Sequence, residues 1–395
     1  MTHQTIIAIN AGSSTLKYQL YAMPEERLIA KGMIDKIGKK DAQFILKFNR
    51  QEIEQNNIEL KDPAQCIDYL LEQLLSNQVI GALDCVSGVG HRVAHGGDKF
   101  NQPVVIDSSV VEILESLCEL APLHNPVNIA YIKAMKNKLP NCKHVAIFDT
   151  AFHQTISKEH YIYALPYRLY QEDHIRRYGF HGTSHDYVSQ ICAEKMHKPI
   201  ENLNIISCHL GSGASICAIK GGISVNTSMG FTPLAGIMMA TRCGDIDPAI
   251  PIYIANKKQL SLEQVNNILI AESGLLGVSG VSNDCRKVQQ AASEGNKQAQ
   301  LAIDIFSQRI RDFIGSYMVQ MGGVDVILFT GGIGENSASI RSAVCKNLSG
   351  LGIDLDESKN VAKQTFIQTN DSKTTIAVIN TNEELMMARQ AHANI

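Results

Sequence analysis

The chain has 395 residues, 45% of them hydrophobic, 19% charged and 6% aromatic, with a formal net charge of −3. That length exceeds what one core usually organises and predicts two domains, in a composition ordinary for a globular protein. With no basic stripe and no charged tail, nucleic acid and membrane surfaces are excluded as first readings of its partner.

The start runs from Met1 to Gln4 straight into Ile6–Ile9, without a basic leader, and no apolar run is long enough to span a bilayer. Ten cysteines are scattered without a C-x-x-C pair, which argues for reduced thiols and against a disulfide frame or metal knot. Both features predict a cytoplasmic protein.

In chain order, the pattern predicts strand Thr5–Ile9, a turn Asn10–Ser14 and strand Leu16–Leu20. Helix Asp62–Leu75 follows, with Asp62 as N-cap and Pro63 at the first helical position. Cys85–Val89 is a short strand ending in a loop His91–Gly97. Helices Ser109–Leu120 and Pro126–Asn137 precede strand His144–Phe148. The second half opens with strand Leu203–Cys208, turn His209–Gly213 and strand Ala214–Ile219, and Gly221-Gly222 makes a hairpin into Ile223–Asn226. A long helix fits Lys297–Met321, since Phe306, Ile310, Phe313, Ile314, Tyr317 and Met318 share one face. Strand Asp325–Phe329, helix Asn336–Leu348, strand Thr374–Ile379 and a helix from Asn382 complete the pattern.

Two segments of one half lie over the other: Ile6–Ser13 on Ile205–Ser212, and Val145–Thr150 on Val326–Gly331. Two matches in the same order point to an internal duplication. Three turns of small residues, Asn10–Ser14, His209–Gly213 and Gly331–Glu335, offer consecutive backbone N–H groups suited to phosphate. The commoner nucleotide motifs are absent. There is no G-x-x-x-x-G-K-[ST], Ser337 stands where a dinucleotide fingerprint has its third glycine, and His91-Arg92 is followed by Val93, not Asp.

Read together, the strings INAGSSTLK (9–17), GHRVAHGG (90–97), APLHNP (121–126), FDTAFHQ (148–154), RYGFHGTSH (177–185), TRCGDIDP (241–248), ESGLLG (272–277), FTGGIGEN (329–336) and TNEEL (381–385) resemble the acetate kinase family. That family lies within the actin, sugar kinase and Hsp70-like superfamily. The resemblance spans nearly the whole chain. It implies an α/β fold of two duplicated ribonuclease-H-like domains around a central cleft: residues 1–150 plus 382–395, and a nucleotide-binding domain of residues 151–381. It also implies a homodimer that uses ATP with Mg²⁺, Mn²⁺ being an alternative, to phosphorylate a small carboxylate such as acetate.

Phosphoryl transfer needs cations on the equatorial oxygens and in-line positioning more than covalent help. Arg92 and Arg242 suit that need, each with a planar fork for carboxylate or phosphate. By resemblance Arg92 orients the substrate carboxylate, Arg242 grips the moving phosphoryl group and His181 donates to it, with His124 beside the substrate. The resemblance places the nucleotide at Lys17, at His209, Leu210, Gly211, Ser212 and Gly213, at Asp284, Cys285 and Arg286, and at Gly331, Gly332, Ile333, Gly334 and Glu335. It puts Asn10 and Glu383 at the metal. Asp149 is the family's acid/base carboxylate, but a carboxylate substrate is ionised at neutral pH and needs no base. Asp149 therefore reads as a group that orients Arg92 or a metal-bound water.

The chain departs from the family pattern at Ser212, Cys243 and Cys285. By resemblance Ala94, Leu123, Phe180 and Pro233 enclose the acyl chain. Ala94 stands where acetate-preferring members often carry valine, and one methylene in an apolar pocket is worth roughly 1–3 kcal/mol. Propionate turnover is expected, and propionate kinase is the nearest rival reading. A sugar kinase, or an ATPase of the Hsp70 or actin type, is more remote.

Overall fold

The opening run Ile6–Ile9 is apolar without alternation, a pattern that requires cover on both faces of the strand. In the computed structural model, which describes residues 3–395, that run lies in strand β1 (Gln4–Ala11). Ile6 and Ala8 pack with Met387, Ala388 and Ala391 of the last helix. Ile7 and Ile9 pack on the opposite face with Leu70, Leu74 and Met135. Met1 and Thr2, part of the start read above as lacking a leader, lie outside the described residues.

The chain divides into two compact units, one ending at Gln154 and resuming for Asn382–Ile395, the other Thr155–Thr381. The first adds β2 (Thr15–Met23), β3 (Arg27–Asp35), β4 (Ala42–Phe48), β5 (Gln51–Ile58), β6 (Val86–Val93), β7 (Val104–Val105) and β8 (Lys143–Phe148). They form one sheet in the order β5-β4-β3-β2-β1-β6-β8-β7. Helices Pro63–Ser76 and Asn125–Lys138 cover one face, and helix Glu383–Ala393 the other. Asp62 caps its helix as predicted, accepting from Gln65 N at 2.9 Å. Residues 27–58, where no element is predicted above, make the outer hairpins. Their strands carry many polar residues, as solvent-facing edge strands do.

The second unit contains β9 (Asn204–Leu210), β10 (Ala214–Lys220), β11 (Ile223–Thr227), β12 (Val326–Thr330) and β13 (Thr375–Val378), ordered β11-β10-β9-β12-β13. Helix Lys297–Met321 has the predicted bounds and buries Phe306, Ile310, Ile314 and Tyr317 against Ile206, Cys208 and Ile216. Helix Gly182–Met196 packs toward the other face, where Ser207 and His209 alternate with that apolar set.

The order β3-β2-β1-β6-β8 repeats as β11-β10-β9-β12-β13, each with three antiparallel strands followed by two parallel ones. The match of Ile6–Ser13 to Ile205–Ser212 therefore joins equivalent strands, β1 and β9. The match of Val145–Thr150 to Val326–Gly331 does not. β12 stands beside β9 as β6 stands beside β1, so the counterpart of β8 is β13. Buried parallel strands share one apolar composition, and composition alone produced that second match.

Other boundaries move: helix Ser109–Leu120 is Ser108–Ser116 and helix Asn336–Leu348 is Ala338–Cys345, and three more shifts touch the glycine-rich segments. The loop read at His91–Gly97 is strand through Val93, because β6 runs parallel between β1 and β8. His209 and Leu210 likewise end strand β9, leaving Gly211–Gly213 as the turn. The turn read at Gly331–Glu335 is a short helix, Gly331–Asn336. Gly331 enters it at φ +75°, and a Cβ there would lie 2.8 Å from the Leu210 carbonyl oxygen.

On the face of β6 away from Arg92, His91 and His144 are both buried, with Nε2 and Nδ1 at 3.0 Å. His144 Nε2–H donates to Leu139 O at 3.0 Å, so its Nδ1 accepts and His91 Nε2–H donates. Both rings are neutral in this arrangement. Burial first, then His144 and Lys136, holds His91 well below the usual imidazole range; burial also lowers His144. Unfolded imidazoles take up protons near pH 6.5 while the folded ones do not. Stability is thus full above about pH 6.5 and falls below it, by up to about 1.4 kcal/mol per pH unit for each ring. Urea unfolding at pH 7.5 and 5.5 checks this. The slope should flatten in His144→Gln, and an unchanged slope there would assign the acid sensitivity elsewhere.

Candidate active site

Three neighbouring strand ends carry one polar set in the first unit. In the parallel register Ile9 lies opposite His91, and Val93 opposite Phe148, so Asn10, Arg92 and Asp149 come side by side. Arg92 grips Asp149 with Nε at 3.0 Å and Nη2 at 2.6 Å, and its Nη1 donates to Asn10 Oδ1 at 3.0 Å. The Asp149 side chain is 3% exposed and that of Arg92 25%. Asp149, then its hydrogen bond, Glu383 and Glu384, raises Arg92 further above its ordinary value.

The last helix begins in the same set. Asn382 caps it, accepting from Leu385 N at 3.0 Å. Burial pushes the Glu383 carboxyl up to about 7, with Arg92 opposing the shift. Glu384 accepts from Gln19 Nε2 at 3.3 Å and from Asn10 Nδ2 at 3.5 Å. Lys17, in register with Asn10 across β1 and β2, is exposed.

The second unit holds a set built on imidazoles. His181 stands at the N-cap position of helix Gly182–Met196, without a side-chain cap bond, in a left-handed conformation, φ +58°, a strained backbone of the kind that clusters at functional sites. Its Nδ1 meets Ser215 Oγ at 2.9 Å, and its ring stacks on His209 with centroids 4.3 Å apart. His209 Nδ1 meets Ser184 Oγ at 2.8 Å, which meets Thr381 Oγ1 at 2.8 Å. Arg242 donates from Nη1 to Pro233 O at 3.2 Å and has a 3.7 Å contact to Met239 Sδ. It has no carboxylate partner among the described residues, and burial lowers its pKa. A Cβ on Gly213 would stand 3.5 Å from both Arg242 Nη1 and His181 Nε2. Glycine at that position keeps the space between the two donors open. Ala240 N donates to Ser212 O at 3.1 Å, tying the Arg242 turn to the Gly211–Gly213 turn.

Beside that turn lies a cavity of about 1130 Å³, lined by Gly211, Ser212, Asp284, Cys285, Arg286, Gly332 and Ile333 of the predicted nucleotide residues. Asp284 caps helix Cys285–Ser293 and pairs with Arg286, Nη2 to Oδ2 at 2.6 Å. Arg286 and the backbone N–H hold the Asp284 carboxyl at about 2. Glu335 turns inward instead, accepting from Gly331 N and Thr381 N, each at 3.0 Å. Leu210, Gly331 and Gly334 are buried beneath the turns. Gln289 and Ser339 line the cavity without having been singled out in the sequence, and so does Ser337, which was noted only for breaking a dinucleotide fingerprint.

A sequence model of the Acetokinase family matches residues 5–389. The chain belongs to that family. It is 54% identical to propionate kinase PduW of Salmonella typhimurium, over 97% of this chain and 95% of that one. It is 53% identical to an acetate kinase of Shouchella clausii, over 97% and 98%. Its structure matches that of Porphyromonas gingivalis acetate kinase with TM-score 0.94 and 37% identity, each chain 99% covered. A propionate kinase from Francisella tularensis gives TM-score 0.94 and 40% identity, over 99% and 100%. The fold is therefore the two-sheet α/β fold of acetokinases, and the protein is a kinase.

Within this acetokinase the predicted residues fall into two groups. Asn10, Lys17, Arg92, Ala94, Leu123, His124, Asp149 and Glu383 belong to the first unit; Phe180, His181, His209–Gly213, Pro233, Arg242, Asp284–Arg286 and Gly331–Glu335 belong to the second. Ala94 and Phe180 are each 5% exposed and Leu123 71%. Ser184, His185, Ser207, Ser215 and Glu384 join the sets without having been singled out. The signal for His185 was there, as an i, i+4 partner of His181, whereas Ser207 and Ser215 read as ordinary strand residues.

Proposed function

We propose that this acetokinase transfers a phosphoryl group reversibly between ATP and acetate, giving acetyl phosphate and ADP, and takes propionate as a second acceptor. The observation that carries the reading is Arg242, a partly buried guanidinium without a counter-charge among the described residues, facing His181 across the empty side of Gly213. An unpaired cation of this kind fits a site whose anion arrives with the substrate.

Arg92 takes the carboxylate. Three of its five N–H groups bind Asp149 and Asn10, which leaves one on each terminal nitrogen for the two oxygens of an acyl anion. The anion attacks phosphorus directly. It is ionised at neutral pH, so no residue has to remove a proton, and Asp149 serves by fixing the plane of Arg92. Arg242 and His181 Nε2 donate to the phosphoryl oxygens in flight. The 1130 Å³ cavity, with small hydroxyl and amide side chains and the capped helix starts at Asp284 and Ser337, accommodates the nucleoside side of ATP.

The residues fit Mg²⁺. Asn10 Oδ1 and the carboxylates of Glu383 and Glu384 are hard oxygen donors, and Glu383, raised to about 7 by burial, makes no side-chain hydrogen bond within the described residues. Mg²⁺ favours few carboxylates and several waters, so Asn10 and Glu383 would hold it, directly or through water. Bound there, the cation supplies charge neutralisation for the phosphate oxygens.

Propionate kinase is the second reading, favoured by Ala94, which gives the acyl wall two methyl groups fewer than valine would. One experiment separates the two. Acyl phosphate formed from ATP and Mg²⁺ is trapped with hydroxylamine, acetate and propionate in parallel, for the wild type and Ala94→Val. Acetate ahead in the wild type supports the first reading and propionate ahead the second. Ala94→Val is expected to lower propionate turnover about 10-fold relative to acetate, and product with neither acid retires both readings.

We also propose a homodimer in the cytoplasm. Helix Ala249–Lys258 buries none of its residues and exposes Ile250, Ile252 and Tyr253, at 41%, 65% and 60%, a face suited to a second copy. Among the described residues no helix is long and apolar enough to cross a membrane, and all ten cysteines are free. A light-scattering mass of one chain would remove the dimer.

A further inference from the structure

Beneath His181 runs a hydrogen-bonded chain that the reaction as described above does not use. Ser207 Oγ meets His185 Nδ1 at 2.9 Å, His185 Nε2 meets Ser215 Oγ at 2.8 Å, and Ser215 Oγ meets His181 Nδ1 at 2.9 Å. Ser207, His185 and Ser215 are each 0% exposed. Two strands and a helix supply the links. Ser207 lies on β9 and Ser215 on β10, while His185 stands one turn into helix Gly182–Met196, four residues beyond His181.

The direction of the chain follows from counting protons. Two hydroxyls and two neutral imidazoles carry four exchangeable protons, and three hydrogen bonds consume three. The fourth sits at one end, or on Ser215 if its oxygen accepts from both rings, which leaves a buried Ser215 O–H without an acceptor among the described residues. If the bonds point away from the site, it remains on Ser207 as an O–H donor, buried and with no second partner among the described residues. An orphaned buried donor is the rarer and costlier defect; a hydroxyl lone pair without a partner is tolerated better. If the bonds point toward the site, Ser207 O–H donates to His185 Nδ1, His185 Nε2–H to Ser215 Oγ, and Ser215 O–H to His181 Nδ1. The fourth proton then sits on His181 Nε2, the atom that faces Gly213 and Arg242.

We propose that Ser207, His185 and Ser215 are positioning residues that fix His181 as an Nε2–H donor. The proposal rests on the reading of His181 as a donor to the phosphoryl group. It explains why three buried polar residues sit behind a histidine with strained backbone. A neutral imidazole free to exchange tautomers would present an Nε2 lone pair to an anion part of the time. The relay removes that state before substrate arrives, which is preorganisation of a donor.

The test combines nitrogen-15 NMR of histidine-labelled full-length protein with steady-state kinetics. In the wild type, the His181 signals, identified by their loss in His181→Ala, should report the Nε2–H tautomer. In Ser215→Ala that pattern should average toward both tautomers. Its kcat should fall roughly 10-fold or more, with KM for ATP and acetate within about twofold. Ser215→Thr, which retains a hydroxyl, should recover most of the kcat. A wild-type His181 in the Nδ1–H tautomer overturns the proposal, as does a Ser215→Ala enzyme with unchanged kcat. The NMR result on the wild type stands even if a variant fails to fold. A normal kcat in His181→Ala would instead retire the donor reading itself, so the two failures are distinguishable.

Discussion

Replacing Arg242 with alanine is expected to lower kcat by about 10³-fold, with KM for ATP and for acetate changed far less. The reason lies in when the guanidinium finds its counter-charge. Among the described residues its guanidinium has the Pro233 carbonyl and the Met239 sulfur and no carboxylate, and burial already lowers its pKa. Its favourable interaction is therefore made with the phosphoryl oxygens, whose charge spreads most in the transition state. The same geometry fixes the sign of the stability change. Arg242→Ala removes a partly buried cation that has no carboxylate partner, so the melting temperature should hold or rise slightly. Arg242→Lys keeps the charge but not the planar fork, and should recover about a tenth of the lost rate at most. An Arg242→Ala enzyme with kcat within fivefold of wild type would move the phosphoryl contact to another residue.

Local patterns made some of this visible before any coordinates. The 3.6-residue repeat of Phe306, Ile310, Ile314 and Tyr317 marks helix Lys297–Met321 because one face of it meets a core and the other water. Asp62 and Asn382 are short polar residues at the starts of predicted helices, and both cap them. The Gly211–Gly213 turn is legible because few residues other than glycine leave backbone and space open together. What local pattern does not encode is the register between distant strands. Arg92 and Asp149 are 57 residues apart, and they meet because Val93 and Phe148 pair in a parallel ladder. In sequence, Arg92 sits among glycines and reads as part of a loop; only burial of His91 and Val93 between two strands makes it strand. Ser207 and Ser215 are silent for the same reason, since their partner His185 arrives from a helix in the intervening space of the fold. Glu384 beside Asn10 depends on how the last helix lands on β1 and β2.

Asp149→Asn separates an orienting carboxylate from a base. If Asp149 removed a proton, the amide would abolish a kinetic pKa and reduce kcat while leaving carboxylate binding largely intact. With acetate already ionised, the expectation is the opposite. Asparagine offers one acceptor in place of two charged oxygens, so Arg92 loses the bidentate grip at 3.0 and 2.6 Å and with it the fixed plane that meets the acyl anion. KM for acetate should rise by about 10-fold or more, and kcat should fall by about 10²-fold as the nucleophile loses alignment. The shape of the pH–rate profile should stay that of the wild type. Stability should drop as well, because the Asp149 side chain is 3% exposed and its neutral replacement leaves Arg92 without this counter-charge. Loss of one member of a buried pair costs roughly 3–5 kcal/mol. Arg92 retains 25% exposure, and solvent there reduces the expected loss to about 2 kcal/mol. Steady-state kinetics between pH 6 and 9, with urea unfolding of the same samples, read all three quantities. A lost kinetic pKa with unchanged KM for acetate would restore the base, and near-normal kcat and KM would leave Arg92 oriented by Asn10 alone.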